Sequence, residues 1–462
     1  MKGFKELLLG VMLSFPIVSY AQITEKPVHL LNLLQQVHLH APQLKTDSEA
    51  ILIRRAEANE VKSAWLPDLK LSYQADLGTN NNVAGPYFGF GMVPSDSRGV
   101  RTNSNSNTAL ANLGIASLDW EVYNFGAYHA QNQLAASRVR VDEAYFQQSK
   151  YQLDGFAISH YLQLLRLYEF LSIQKQNIAR NQQIIHTIVV LARSGLRAGI
   201  DTSIAGAELS KAKLVYIELD NVYKNEQQNL ALITGLPSQN IQPDTTLENQ
   251  LMGKSFYFTS LGADSSNHPL IAYYRSRYQQ SQAVEQLTRK SYNPKISIEA
   301  AAWGRGSSID AHDQFNSFNT GWGFNRSNYL VGLALSYNLT DLKRRQLKLK
   351  TRKLASSYAL KQLDEQKASL SASSNEASTE LTTSMSRLDE IPVQLKAAQD
   401  AYRQKFSLYK NGLTDIIELD ASLNVLYRAE NDYSRAKNQF AFALFQKAIT
   451  ENQLAKLLNL LN

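Results

Sequence analysis

Side chains able to do chemistry are sparse in this chain of 462 residues, and their spacing argues against catalysis. There is no cysteine, which removes thiol nucleophiles, disulfides and cysteine-ligated metals. The close histidine pair is His38-Leu39-His40. On a helix two such residues point about 200° apart, so they do not share an ion. Gly89-Phe90-Gly91 and Gly304-Arg305-Gly306 lack the strand–turn–helix setting of a phosphate loop. No Ser/His/Asp arrangement is recognisable. The net charge of +7 is scattered and not gathered into a basic block, which speaks against nucleic acid. The expectation is a non-enzyme without metal or cofactor. Two turn-flanked groups of charge are left. Arg193 and Arg197 stand around Gly195, Leu196 and Gly199; Asp415, Glu418 and Asp420 come after Gly412 and Leu413. Asp415 and Glu418, three apart, read as an N-cap and its reciprocal N3 partner.

The elements that carry these groups are long helices. From Phe125 to Ser194 there is no proline and only two glycines, Gly126 and Gly155. Tyr161, Leu164, Leu165, Tyr168 and Leu171 fall at helical spacing. At 1.5 Å per residue such a helix is roughly 100 Å long. The stretch from Thr340 to Asn411 is similar, interrupted only by Pro392, which is expected to kink or break it. Helices of this length need partners throughout, so coiled-coil-like packing is implied. Lys367 to Ser386 is dominated by Ser, Ala and Thr, and reads either as a surface for close helix approach or as a weak exposed segment. Each long helix ends in a matched turn, at Arg193–Thr202 and at Tyr409–Asp415. Glycine is the expected stop, and Asp201 and Asp415 are the expected N-caps of the returning helices.

Before each long helix stands a pair of alternating segments. Leu69, Leu71, Tyr73, Ala75 and Leu77 alternate with Lys70, Ser72, Gln74 and Asp76. That two-residue period marks a strand with one apolar and one wet face. A partner runs from Thr108 to Tyr123, apolar at Ala109, Ala111, Leu113 and Ile115 and then, out of phase, at Leu118, Trp120 and Val122. The phase change reads as a bulge or as the passage from strand to helix. The second pair has Ile296, Ile298, Ala300 and Ala302, then Tyr329, Val331, Leu333, Leu335 and Tyr337. Trp65, Trp120, Tyr292, Trp303 and Tyr337 near strand ends suit membrane interfaces. Four strands of a soluble sandwich are the alternative. The connections, Thr79–Asn107 and Gly306–Ser327, are long and polar, unusual inside a compact domain but normal outside an outer-membrane barrel. Four strands do not close a barrel, and open edges are not viable in lipid. Strands in a membrane must therefore be pooled by several chains.

The order is duplicated, roughly Trp65–Thr234 and Tyr292–Gln453. Lys2, Lys5, the apolar run Leu7–Val18 and Ser19-Tyr20-Ala21 read as a signal peptide over 1–21. This places the mature chain outside the inner membrane, with no cysteine for a lipid anchor. The organisation read is a first repeat over 22–235, a connecting segment over 236–267 and a second repeat over 268–462.

On these segments the chain resembles the TolC-like outer-membrane efflux protein family. The resemblance rests on Trp65-Leu-Pro-Asp-Leu-Lys-Leu-Ser72, Leu118-Asp-Trp-Glu-Val-Tyr-Asn-Phe-Gly126, Ala231-Leu-Ile-Thr-Gly235-Leu-Pro237, Leu408-Tyr-Lys-Asn-Gly412 and Leu419-Asp-Ala421. Asn338-Leu-Thr-Asp-Leu-Lys-Arg-Arg345 also fits but lacks the glycine common at that passage. The resemblance implies an α+β membrane protein. Four transmembrane strands per chain complete a homotrimeric twelve-strand barrel, continued by a periplasmic helical coiled-coil tunnel. It implies an exit duct for a tripartite efflux or type I secretion system, with a periplasmic adaptor, an inner-membrane pump and outer-membrane lipid as partners. It further implies an entrance ringed by acids, with Asp420 the best match and Asp415 and Glu418 beside it, and with Tyr409 at an aromatic position near the gate. Arg193 and Arg197 are then candidates for a latch of swapped polarity, and Gly195, Leu196, Gly199, Gly412 and Leu413 for adaptor-docking tips. The rival from another class is a soluble periplasmic coiled-coil adaptor or scaffold without a pore.

Overall fold

The alternating segments form one antiparallel sheet in the order β1 (Asp68–Thr79), β2 (Thr108–Tyr123), β3 (Lys295–Ser307) and β4 (Arg326–Ser336). In a computed structural model of the chain, residues 27–82, 101–194, 198–259 and 267–461 are described. The leader at 1–21, Gly89-Phe90-Gly91 and, at the first tip, Gly195, Leu196 and Arg197 lie outside them.

Residues opposite one another on a ladder share a face. The register pairs Leu69 with Leu118, Trp120 with Ile298, and Ile298 with Leu333. These lie with Leu71, Tyr73, Leu77, Ile296, Tyr329, Val331 and Leu335 on one apolar face. Lys70, Asp76, Asp119, Glu121, Glu299 and Arg305 lie on the other, where Lys295 pairs with Glu121 at 2.7 Å and Lys70 with Asp68 at 2.7 Å. The phase change in β2 is not a bulge at that point. The ladder to β1 runs unbroken from Thr108 to Asp119, and the register of the β3 side shifts only at Glu121–Tyr123. Ala109, Ala111, Leu113 and Ile115 sit on the polar face. Both faces are covered at this end of the sheet, where Ala109 and Leu110 are each buried, so alternation there does not report a wet side. The connection read as an open loop at Gly306–Ser327 is also more ordered than expected. Ile309 bridges Phe315, and Phe318–Trp322 forms a 3-10 helix packed on β2 and β3.

The helices are α1 (Leu30–His40), α2 (Pro42–Ser63), α3 (Ala127–Arg193), α4 (Ile200–Thr234), α5 (Leu247–Thr259), α6 (Pro269–Lys290), α7 (Asp341–Lys410), α8 (Ile416–Thr450) and α9 (Leu454–Leu460). Thus α2–β1–β2–α3–α4 is repeated as α6–β3–β4–α7–α8. The first strand-to-helix passage uses the left-handed region, at Phe125 (φ 49°) and Gly126 (φ 89°). The second does not need it. Thr340 has φ −70°, and Asn338 Oδ1 accepts from both the Thr340 N–H (3.1 Å) and its hydroxyl (2.7 Å). This explains how the passage dispenses with glycine.

α7 runs its 70 residues through Pro392 without a break. A proline removes one intrahelical N–H bond, and Ser384 and Ala398 on either side remain buried. The small-residue stretch is two-sided. Ala377, Leu381 and Ser384 are buried, while Thr379, Thr382 and Ser386 return their hydroxyls to carbonyls four residues back. Among the described residues no helix is long and apolar enough to cross a membrane.

The main core lies where α1, α3, α4, α5, α8 and α9 meet, with Leu44 of α2 and Leu381 of α7 added, around Tyr161, Leu164, Leu165, Phe440 and Phe445. Gly155 lets α8 come close: a Cβ there would stand 3.3 Å from Ile449 Cδ1. A polar knot ties three helices together. Lys437 Nζ meets Glu169 at 2.6 Å and Glu248 at 3.2 Å, and Asn438 donates to Glu248 at 3.0 Å. Burial, with Glu169 nearby, raises the Glu248 carboxyl above its ordinary value. The Tyr161 hydroxyl donates to the Val28 carbonyl (2.7 Å) and accepts from the Asp244 N–H (2.8 Å), anchoring the N-terminal segment.

Tyr161→Phe deletes both bonds and leaves two backbone groups without their partner. It is expected to cost about 1–3 kcal/mol, measured by chemical denaturation. An unchanged midpoint would mean that water replaces the hydroxyl.

Candidate functional site

At the end of the helices away from the sheet, the two hairpins α3–α4 and α7–α8 are joined by a separate apolar cluster. Ile184 and Ile188 of α3, Ala205 of α4, Tyr409 of α7 and Ile416, Leu419 and Leu423 of α8 are buried together. α7 stops at a Schellman turn. Gly412 takes φ 76°, and the Leu413 N–H reaches the Leu408 carbonyl at 3.0 Å. Asp415 caps α8, accepting from the Glu418 N–H at 2.8 Å. The reciprocal half of the expected capping box is not made. Glu418 instead accepts from the Thr414 hydroxyl (2.7 Å) and pairs with Lys405 across the hairpin. The hydrogen bond from Lys405 holds its carboxyl below the usual range.

The first tip departs from the pattern expected of its sequence. Gly199, not Asp201, occupies the N-cap, in an ordinary helical conformation without a side-chain cap. Asp201 lies within the first turn. Its carboxylate accepts from the Tyr409 hydroxyl at 3.3 Å, so the aromatic of one hairpin is tied to the acid of the other. Tyr409, expected at the entrance, is enclosed within the single chain at 0% exposure. It packs between the two hairpins of the single chain. Arg193 is exposed and makes no ion pair among the described residues; Arg197 lies outside them. The basic partners at the acidic tip are Lys405, which pairs with Glu418, and Lys211, which pairs with Glu208 at 3.1 Å and lies near Asp420.

Asp420 faces the cleft between α4 and α8, beside Asn181, Ile204 and Glu208. It accepts from Asn424 at 2.9 Å. Partial burial, reinforced by the Glu208 charge, pushes its carboxyl above the usual aspartate value. Of the three acids expected here, one is a cap, one is neutralised by lysine, and only Asp420 stands against another carboxylate. Sequence reasoning missed Lys405 and Glu208. Lys405 is paired across a turn, with no local signal. Glu208 stands two helical turns beyond Asp201, a spacing that places both on one face of α4. The histidines diverge as expected: His38 reaches Asp154 at 2.5 Å and His40 the Gln36 carbonyl at 3.2 Å.

Residues 33–236 match the profile of a family described as outer membrane efflux protein. A comparison with curated proteins returns no match. Solved structures that share the fold include three outer membrane proteins. The outer membrane protein VceC of Vibrio cholerae is 13% identical, with a TM-score of 0.71 over 92% of this chain and 96% of that one. The CmeC outer membrane channel of Campylobacter jejuni is 13% identical, with a TM-score of 0.71 over 92% and 86%. The open-state MtrE outer membrane channel of Neisseria gonorrhoeae is 15% identical, with a TM-score of 0.65 over 92% and 89%. At these identities the likeness is one of fold.

A carboxyl held above its ordinary value contributes stability while protonated and loses it as pH rises through the shifted value. Asp420→Asn is therefore expected to raise the unfolding temperature at pH 7. The gain should vanish as pH falls below the ordinary aspartate value of about 4. A loss at pH 7, or a gain independent of pH, would contradict this description of the cleft.

Proposed function

We propose that this chain, whose residues 33–236 match the outer membrane efflux protein profile, is a member of that family and that three copies of it build one duct through the outer membrane and across the periplasm. Substrates enter from an inner-membrane pump through a periplasmic adaptor and leave to the outside; the family's members are channels, and no reaction is catalysed. One observation carries the reading. The sheet has four strands, its edges β1 and β4 find no strand partner among the described residues, and one face bears Leu71, Tyr329, Leu333 and Leu335 at 70% exposure or more. A soluble scaffold would leave that face in water. In lipid the edges must be paired, and four strands from each of three copies make a closed barrel of twelve.

The helical hairpins then form the tunnel and their tips its entrance. Gly199, Gly412 and the exposed Leu413 are the described part of the surface offered to the adaptor; Gly195 and Leu196 would complete it. Asp420, with Glu208 behind it, is the best-placed acid for a ring that favours cations. The Lys405–Glu418 pair and the Tyr409–Asp201 bond hold each tip in shape. An exposed ion pair such as Lys405–Glu418 is weak, so a docking partner can rearrange it.

The test is conductance of the purified protein in planar bilayers. The wild-type chain is expected to form stable channels from detergent-resistant trimers. Leu333→Arg, on the apolar face, should cost about 2–4 kcal/mol near mid-membrane and sharply reduce insertion. Normal trimers and channels from Leu333→Arg would remove the lipid-facing assignment.

A further inference from the structure

The apolar face of the sheet has a bare strip near its outer end. One register row runs Tyr73, Gly114, Gly304 and Ser327, and the next runs Ala75, Asn112 and Gly306. The β3–β4 connection lies directly on that strip. A Cβ on Gly114 would stand 2.7 Å from Phe324 Cζ, one on Gly304 2.8 Å from Phe324 Cγ, and one on Gly306 1.8 Å from the Gly323 carbonyl oxygen. A Cβ on Gly321 would likewise stand 2.5 Å from the Leu110 carbonyl oxygen. The Phe324 ring meets Tyr73 edge-on at 6.4 Å. The Asn325 N–H donates to the Arg305 carbonyl at 2.8 Å. The glycines are the seat that lets this connection lie flat. It replaces the missing strand side chains with three aromatics that remain about half exposed: Phe318 at 48%, Trp322 at 55% and Phe324 at 58%.

The height of the strip matters. On the same face, β2 runs from Trp120 to Leu110. Ten residues at about 3.4 Å each, tilted about 40°, rise roughly 26 Å, close to the ~25 Å apolar band of an outer-membrane barrel. Trp120, with Trp65 at 6.1 Å and Tyr128 beyond it, lies at the inner rim. Leu110 and Gly114, under the β3–β4 connection, lie at the outer rim. Strand ends furnish the inner aromatic belt, whereas β1 and β4 bring only Tyr73 and Tyr329 towards the outer one.

We propose that the connection between β3 and β4 is a membrane anchor: Phe318, Trp322 and Phe324, laid over the glycine strip, occupy the boundary between headgroups and acyl chains of the outer leaflet and set the depth of the barrel. The inference rests on the outer-membrane reading and continues its lipid-facing surface.

The test uses Trp322 as the sole tryptophan, with Trp65, Trp120 and Trp303 changed to Phe. The protein is reconstituted in phosphatidylcholine vesicles brominated at acyl carbons 6,7 or 11,12. Blue-shifted emission, quenched at least twofold more by the shallow bromines than by the deep ones, is the expected result. A tryptophan introduced by Leu333→Trp in the background lacking all four native tryptophans serves as the reference, quenched by both lipids. If the reference is quenched and Trp322 is red-shifted and unquenched, the connection stands in water and the anchor is wrong while the barrel reading survives. Blue-shifted but unquenched emission means contact with protein, and also overturns the anchor. If neither position is quenched, the outer-membrane reading itself fails. Should the substituted background not assemble, Trp322→Cys carrying an environment-sensitive fluorophore reads the same depth, since the chain has no other cysteine.

Discussion

The backbone groups along the free edges of β1 and β4 are the constraint on which the rest of the molecule turns. In water an unpaired edge is a liability; in hydrocarbon each unmade bond costs several kcal/mol. A sheet of four strands with an apolar outer face does not meet that requirement alone. Closure by further copies satisfies both edges at once, and it constrains the remaining architecture. Each copy must deliver its strands in one register, and the helices leaving β2 and β4 must point the same way from the barrel. The left-handed turn at Gly126 and the Asn338–Thr340 turn make these two exits by different local means. The duplicated order of elements makes the two halves of each chain nearly equivalent contributors to one wall.

The helices have the opposite problem. Their backbones are satisfied internally, but stretches of 67 and 70 residues must be held straight and together. The chain does this at two stations. Near mid-length a large core gathers residues of eight helices, with Tyr161 and the Glu169–Lys437–Glu248 knot binding segments distant in sequence. At the tips a much smaller cluster around Tyr409 serves, supplemented by polar contacts that are mostly exposed. Stability is thus concentrated near mid-length and thinner at the tips.

Much of this fold is legible in the sequence, because its signals are strong and local. Two-residue alternation locates the strands, and long proline-poor stretches locate the helices. Glycine and aspartate mark the second tip. The features that are not legible depend on tertiary contact. Pro392 does not break α7 because packing on both sides outweighs one lost bond. The phase change in β2 misleads because Ala109, Ala111, Leu113 and Ile115 are apolar on the face that carries the charged residues, and only the strand register reveals it. Asp201 looks like a cap, yet the cap position falls two residues earlier, at Gly199, and the Asp201 carboxylate serves Tyr409. Lys405 is the partner of Glu418 only across a hairpin, and no single-strand pattern announces such a pair. The glycines at 114, 304 and 306 read as loop or weak strand residues; their common purpose emerges only when the register sets them side by side.

The central claim is that the sheet closes by pairing β4 of one copy with β1 of the next. The absence of native cysteine permits a direct test in outer membranes. Leu69→Cys, Leu71→Cys or Tyr73→Cys is combined in one chain with Tyr329→Cys, Val331→Cys or Leu333→Cys. The products are oxidised and separated without reductant. Cysteines facing each other on adjacent strands are within disulfide reach. The account predicts that at least one pair yields a ladder of two- and three-chain species that stops at three. Single-chain bands from every pair, or a ladder that runs on past three, would contradict it.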